Sequence, residues 1–140
     1  LFRDFNSLKS FTISDNIEEI GSWAFSGCKS LNNLTLPSSL TSIGRRAFSG
    51  CSSLSELVIP ETVVSIGGFF ISSYSNVNLI FRDTLGWQKR YYCISNDKTY
   101  GDWEDIDPSV MADSNAFKNL MKTKYTDSDG NDYYYQFQKV

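Results

Sequence analysis

The sequence predicts a repeat solenoid that is mainly β, with short helical turns that close each coil. Residues 20–42 overlay residues 43–65 at an offset of 23 with about half the positions identical, which is the self-similarity of stacked repeats. Each copy contains the spacing apolar-x-x-apolar-x-apolar, as in Leu31, Leu34 and Leu36, and this alternation predicts a short strand with one buried face. One such coil cannot bury its apolar edge alone, so we expect equivalent strands to stack about 4.8 Å apart.

The repeat frame covers residues 1–83 and gives about three and a half coils, near the minimum of roughly three that a stacked array needs. Pro37 and Pro60 follow two of the strands, where a missing N–H ends a hydrogen-bond ladder without disturbing the core. The Ala-Phe pair of each full unit predicts the helical turn. Near the end of the frame one residue drops out before Leu79 and Phe81.

The remaining residues, 84–140, differ in composition and predict a small aromatic-rich α+β cap packed on the last coil. Seven of the eight tyrosines lie after residue 82, together with Trp87 and Trp103. Large aromatic side chains cover much area per residue, which suits the exposed end of a stack. The predicted elements are a strand over 86–95, a polar loop, a helix over 114–125 with Asp113 as its N-cap, an acidic turn over 127–132 and a strand over 133–140.

Composition excludes several classes of function. The 140 residues suit one domain, and the net charge of −3, from 13 basic and 16 acidic residues, lacks the positive footprint of a nucleic-acid binder. No apolar run reaches the roughly 18 residues that a membrane-spanning helix needs, and the first residues do not resemble a signal peptide. Histidine is absent, which excludes histidine general acid–base catalysis and the commonest zinc sites.

Two successive units carry a specific resemblance. The strings IGSWAFSGCKSLNNLTLPSSLTSIG and IGRRAFSGCSSLSELVIPETVVSIG resemble the BspA-type leucine-rich repeat. The third unit departs from that pattern, because Phe70, Ile71 and Tyr74 stand where the other units have Ala, Phe and Cys. The resemblance implies a bacterial secreted or cell-surface protein, and therefore an extracellular location and a partner that is a protein or glycan of a host or neighbouring cell.

Three groups of residues invite a chemical role, and each has a simpler interpretation. Cys28 and Cys51 occupy one repeat column beside buried phenylalanines, which favours packed thiols over a metal site. The acidic turn over 127–132 lacks the glycine and glutamate positions of an EF-hand, so an Asp-Gly hairpin turn is favoured over a calcium site. The acids of the tail, Glu104, Asp105 and Asp107, lie beside Trp103 in a polar loop and offer no evident cleft for glycoside cleavage. The sequence thus predicts no enzyme, no cofactor and no metal.

What remains for function is the surface. Outward positions of two successive strands form rows on one sheet face: Asn33, Thr35, Glu56 and Val58. A second column contains Trp23, Arg46 and Phe69 at intervals of 23, so that a regular stack places the arginine between two aromatic rings. Packing is the simpler role for this column, and a binding patch is the alternative.

The first function hypothesis is a non-catalytic extracellular protein-binding or adhesion module on a leucine-rich-repeat scaffold. The alternative is a purely structural one, in which the chain is the C-terminal cap of a longer repeat array. A third hypothesis, a carbohydrate-binding or glycosidase-like site in the tail, is disfavoured by the missing histidine and cleft.

Overall fold

The computed structural model describes residues 2–71, 76–93, 98–122, 124–126 and 132–140. Its strands are β1 (Ser10–Thr12), β2 (Glu19–Ile20), β3 (Asn33–Thr35), β4 (Ser42–Ile43), β5 (Glu56–Ile59), β6 (Ser65–Ile66), β7 (Asn78–Phe81), β8 (Trp87–Cys93), β9 (Lys98–Asp105), β10 (Lys124–Thr126) and β11 (Asp132–Lys139). Its helices are α1 (Pro108–Ala112) and α2 (Ser114–Lys122). Neither of these two helices has the length and apolar character to cross a bilayer.

Successive repeats stack in parallel through two sets of short strands. In the first set Phe11 of β1 pairs with Leu34 of β3, and Leu57 of β5 pairs with Leu79 of β7. The second pairing has an offset of 22 instead of 23, which confirms the residue lost before Leu79. In the second set β2, β4 and β6 form a continuous parallel ladder in which each isoleucine faces its equivalent in the next coil.

The predicted helical turns are wrong: this side of each coil is a series of hydrogen-bonded turns. The N–H of Trp23 donates to the carbonyl of Arg45 at 3.0 Å, and the N–H of Ser26 donates back to the carbonyl of Trp23 at 3.1 Å. Alternate N–H groups thus bond to the next coil and to the residue three positions earlier. Trp23 and Gly27 have φ of 64° and 77°, and a left-handed residue cannot continue a right-handed helix.

Side chains of one column lie on top of one another in the core. The rings of Phe2 and Phe25 stack with centroids 5.4 Å apart and planes inclined by 15°, and those of Phe25 and Phe48 stack at 5.6 Å and 14°. Phe48 in turn forms a parallel bridge with Ile71. The column is therefore continuous from coil to coil, as the repeat spacing predicts.

The C-terminal strands extend the second ladder. The order of the sheet is β2-β4-β6-β11-β8-β9, with β10 also pairing β11. Phe137 of β11 pairs antiparallel with Ile66 of β6, and the N–H of Lys139 donates to the carbonyl of Val64 at 2.7 Å. Lys139 also forms an ion pair with Asp83, which lowers the pKa of that carboxyl. The open edge of β6 is thus paired with a strand of the tail.

The tail contains the two predicted strands, the predicted helix and three further elements, β9, α1 and β10. Strand β8 lies within the predicted range 86–95, and α2 begins at residue 114, where the Asp113 carboxylate accepts the N–H groups of Asn115 and Ala116 at 2.8 and 3.0 Å. The predicted polar loop is wrong, because β9 and α1 occupy it, and α2 ends at Lys122 instead of 125. Residues 127–131 of the predicted acidic turn lie outside the described residues, and the final strand β11 begins at 132.

Helix α2 packs against the last coils through one aromatic cluster. The fully buried ring of Phe117 has its centroid 4.9 Å from that of Phe81, 5.0 Å from Phe137 and 6.3 Å from Phe70. Phe70 occupies the column that contains Ala47 in the preceding coil, and both residues are buried. The departure of the third unit from the repeat pattern therefore lies where the helix docks.

Truncation of Phe117 tests this cluster. Phe117→Ala should lower the free energy of unfolding by about 3–5 kcal/mol, because the cavity borders three aromatic rings that cannot all move into it. Urea unfolding followed by circular dichroism measures the change. The exposed helix residue Asn115 gives the control, since Asn115→Ala should change stability by less than about 0.5 kcal/mol. Equal effects of the two variants would contradict the packing described.

Candidate functional site

A groove of about 600 Å³ lies on the outer face of the first strand set. Its lining includes the residues that the sequence predicts on this face: Asn33, Thr35, Glu56 and Val58. Three of them are exposed and Val58 is half-buried. The two predicted rows thus face one concave surface formed by two successive coils.

The groove coincides with a gap in the strand ladder. Strand β3 pairs with β1 and β5 pairs with β7, but no ladder joins β3 to β5. The charged residues of the rim are Glu56, Glu61 and Arg82. The groove therefore combines amide, hydroxyl, apolar and charged side chains with two strand edges that do not pair with each other.

The second predicted column forms a ridge at one corner of the coils. The guanidinium carbon of Arg46 lies 4.8 Å from the ring centroid of Trp23 and 5.8 Å from that of Phe69. All three side chains are half-buried. The arginine is thus between two aromatic rings, as the interval of 23 residues predicts.

The backbone of this ridge is strained at each step. Trp23, Arg46 and Phe69 have φ of 64°, 55° and 55°. The left-handed conformation costs about 1–2 kcal/mol for a residue with a Cβ, whereas glycine adopts it freely. Gly27 and Gly50 occupy the next left-handed position of their coils with φ of 77° and 80°. Backbone conformation alone would favour glycine at the positions of Trp23, Arg46 and Phe69 too. It therefore does not explain the large side chains found there.

Two further arginines, which are not among the predicted site residues, join the ridge. The guanidinium carbons of Arg3 and Arg45 lie 5.1 and 5.9 Å from the centroid of Trp23. Arg3 also forms an exposed ion pair with Asp4 at 3.5 Å. Arg45 directly precedes Arg46, and this Arg-Arg pair was a signal in the sequence. Arg3 lies in the repeat column of Ser26 and Ser49, whose small side chains give no signal of a contact with Trp23.

A second, smaller pocket of about 290 Å³ lies beside the ridge on the face of the second ladder. Its lining includes two repeat columns and the ridge residue Arg45: Ser42, Ser65, Gly44, Gly67 and Arg45, together with Glu19. A Cβ at Gly44 would lie 2.3 Å from the backbone nitrogen of Ser22, and one at Gly67 would lie 2.4 Å from that of Arg45. These glycines are required because adjacent coils approach closely at this point.

Comparison with known proteins places this geometry in a family. A family model described as BspA type leucine rich repeat region, in six copies, matches residues 1–96. The chain belongs to the BspA-type leucine-rich repeat family.

Two solved structures are similar to this BspA-type chain. A leucine-rich repeat protein from Bacteroides ovatus shares 24% identity with a TM-score of 0.46, over 59% of this chain and 27% of that one. A leucine rich cell surface protein from Faecalibacterium prausnitzii shares 20% identity with a TM-score of 0.37, over 54% of this chain and 32% of that one. The chain thus spans less than a third of the length of each structure. Among curated proteins no sequence matches the chain significantly.

The repeat-column thiols of this BspA-type chain are buried and hydrogen-bonded. The Cys28 Sγ donates to the carbonyl of Phe2 at 3.0 Å, and the Cys51 Sγ donates to the carbonyl of Phe25 at 3.1 Å. Burial raises the pKa of both thiols, to about 12 for Cys51. A thiol that keeps its proton is a poor nucleophile and a poor metal ligand at neutral pH.

The acidic residues of the tail each have a local structural contact. Glu104 forms an ion pair with Lys89, and Asp105 accepts a hydrogen bond from the Gln88 side chain at 2.8 Å. Asp107 accepts the N–H of Ser109 at 2.8 Å as the N-cap of α1, and hydrogen bonds from the side chain and the backbone of Ser109 lower the pKa of its carboxyl. Each of the three carboxylates thus has a structural partner.

Replacing Arg46 by glycine compares the backbone strain at this residue with the energy of its cation–π contacts. Arg46→Gly should change the free energy of unfolding by less than about 1 kcal/mol, because relief of the left-handed strain offsets two cation–π contacts worth about 0.5–1 kcal/mol each. Urea unfolding measures it. Gly50→Ala is the matched control, since it adds strain at φ 80° and should destabilise by about 1 kcal/mol. A loss above about 2 kcal/mol in Arg46→Gly would contradict this balance and show that the contacts of Arg46 outweigh the backbone strain.

The Cys51 thiol predicts a loss of stability at alkaline pH. Its pKa is raised from 9.0 to about 12 in the folded state, so below pH 9 both states keep the proton and above it only the unfolded state loses it. Between pH 8 and pH 10.5 this should cost about 2 kcal/mol. Urea unfolding at both pH values measures this loss of stability. The Cys51→Ser variant has no thiol at this position to titrate between pH 8 and pH 10.5, so its loss of stability should be smaller. Equal losses would contradict the raised pKa.

Proposed function

We propose that this chain is a non-catalytic extracellular binding module that contacts a protein of a host or neighbouring cell through the groove over β3 and β5. The observation that carries the proposal is that outward residues of two successive coils line one groove at the gap between the strands. Membership of the BspA-type family supports a repeat scaffold. The resemblance of its units to those of bacterial surface proteins supports the extracellular location.

The chemistry of the groove suits a polypeptide. The groove presents side chains of two successive strands to an extended segment, and alternate residues of that segment can be recognised by them. Asn33 and Thr35 supply polar contacts, and Val58 supplies an apolar one. Mixed lining of this kind is typical of a transient protein interface.

The size of the groove sets the expected mode of binding. About 600 Å³ holds a short segment, whereas a stable protein interface buries about 800 Å² on each partner. The groove therefore anchors one segment of a larger partner. Several copies on one cell surface would raise the apparent affinity through avidity.

A second role, closure of the repeat array, is proposed for residues 84–140, with residues 1–83 as the repeats. It is favoured by the pairing of β11 with β6 and by the packing of Phe117 on Phe81. An uncovered end would expose the edge of β6, which is a template for unwanted strand pairing. This role is compatible with binding at the groove, because the groove lies on the other set of strands.

A binding screen with groove variants tests the proposed function. The chain should bind at least one purified host matrix protein in biolayer interferometry, and Thr35→Arg or Val58→Arg should weaken that binding about tenfold or more by blocking the groove. Ser53→Arg, at an exposed position outside the groove, is the control for added charge and should leave it unchanged. Circular dichroism verifies folding of each variant. Absence of any protein partner, or equal loss in Ser53→Arg, would refute the groove as the site.

A further inference from the structure

The ridge and the small pocket beside it form a second surface that is separate from the groove. Arg3, Arg45 and Arg46 surround the ring of Trp23, and Arg45 also lines the pocket. We propose that this surface binds an acidic saccharide, that is, a sugar that carries a carboxylate or sulfate group. The arginines would contact the acidic group and the pocket would hold the sugar ring. This proposal does not depend on the proposed protein partner of the groove.

Positive charge is concentrated at the ridge, although the chain as a whole is acidic. The net charge is −3, yet three of the five arginines have their guanidinium carbons between 4.8 and 5.9 Å from one indole centroid. A guanidinium is planar and presents paired donors that match carboxylate and sulfate-like oxyanions. The ion pair of Arg3 with Asp4 is exposed and neutralises part of this charge. The ridge therefore carries a local positive field that suits a compact anion.

The aromatic rings hold the guanidinium groups in place before a ligand arrives. Arg46 lies between Trp23 and Phe69, and the other two arginines also contact Trp23. Ordered side chains lose less entropy on binding than free ones do. Large residues occupy all three left-handed positions of the column, although glycine would adopt this conformation with less strain. Such strain is concentrated at sites of function, and here it maintains the arrangement of the ridge.

The pocket favours a sugar over other anions. The side chains of Ser22, Ser42 and Ser65 supply hydroxyl groups to the pocket. Glu19 lines the same pocket. Its carboxylate can accept hydrogen bonds from the hydroxyls of a sugar whose acidic group lies at the arginines. About 290 Å³ is close to the lower end of the range for small-molecule sites.

A nucleic acid fits this surface poorly. Its affinity comes from many phosphate contacts along a basic stripe, and the acidic net charge of −3 opposes such a contact. The positive charge at the ridge is confined to one corner of two coils. An oligosaccharide with one or two acidic rings matches that extent better.

Isothermal titration calorimetry with defined oligosaccharides tests the proposal on the full chain. The probes are a heparin-derived tetrasaccharide, its fully desulfated form, which retains carboxylates, and neutral maltotetraose. We expect binding of the acidic probes at micromolar to millimolar concentration and none of maltotetraose. Binding that survives desulfation would identify the carboxylate as the recognised group, and binding lost on desulfation would identify the sulfate. Absence of binding by both acidic probes would overturn the proposal.

Charge variants then locate the site. Arg45→Gln and Arg46→Gln should each weaken binding about tenfold, as loss of one charge-assisted contact does. Asp4→Asn should strengthen binding about two- to threefold, because it frees Arg3 from its ion pair and asparagine tolerates the φ of 62° at this position. Arg82→Gln removes the same charge at the groove and should leave affinity unchanged. Equal effects of Arg82→Gln and Arg45→Gln would show a general charge effect and overturn the site.

Three further measurements complete the test. Arg46→Lys keeps the charge but loses the planar guanidinium, so its affinity for the saccharide should lie between that of wild type and that of Arg46→Gln. An affinity equal to wild type would refute recognition by the guanidinium. An acidic peptide of glutamates or a single-stranded oligonucleotide that bound as tightly as the saccharide would overturn the assignment to sugars. Thr35→Arg at the groove should not change saccharide binding, so a failure of this proposal and a failure of the proposed protein partner remain distinct.

Discussion

The structure depends on one constraint, the registration of each coil on the next at an interval of 23 residues. Each coil is bonded to its neighbour by backbone groups on the turn side and by short parallel strands on the second ladder. Equivalent side chains then stack, as the rings of Phe25 and Phe48 do. Because a single coil satisfies neither its backbone groups nor its apolar face, the stability of the array is a property of neighbouring pairs.

The same interval determines which side chains meet on the surface. Trp23, Arg46 and Phe69 are far apart in sequence and become neighbours only because their coils are in register. The left-handed backbone at these positions projects large side chains where the chain changes direction. A strained corner repeated in three coils is therefore a feature of the stack, and its arginine–aromatic contacts follow from the repeat.

The sequence predicts most where the repeat is regular. The stacking of Phe25 on Phe48 and the offset of 22 at Leu79 follow from column spacing, and the start of α2 follows from Asp113 as its N-cap. The sequence pattern predicts helical turns there because tryptophan and arginine do not signal a positive φ as glycine does. Strand β9 was missed because it is polar and depends on pairing with β8, a long-range contact that local pattern does not reveal. Arg3 shares its repeat column with Ser26 and Ser49, whose small side chains give no signal of a contact with the ring of Trp23, so the contact of Arg3 with Trp23 required the structure.

The two candidate surfaces differ in how the backbone beneath them is bonded, and this predicts different modes of recognition. The groove lies over β3 and β5, which no ladder joins, and it presents polar, apolar and charged side chains of both strands to an extended partner. The ridge lies where the N–H of Trp23 and that of Arg46 already bond to the next coil. A ligand at the ridge therefore meets an ordered backbone and pays little to order it. Flexible peptides suit the first surface, and small charged rings suit the second.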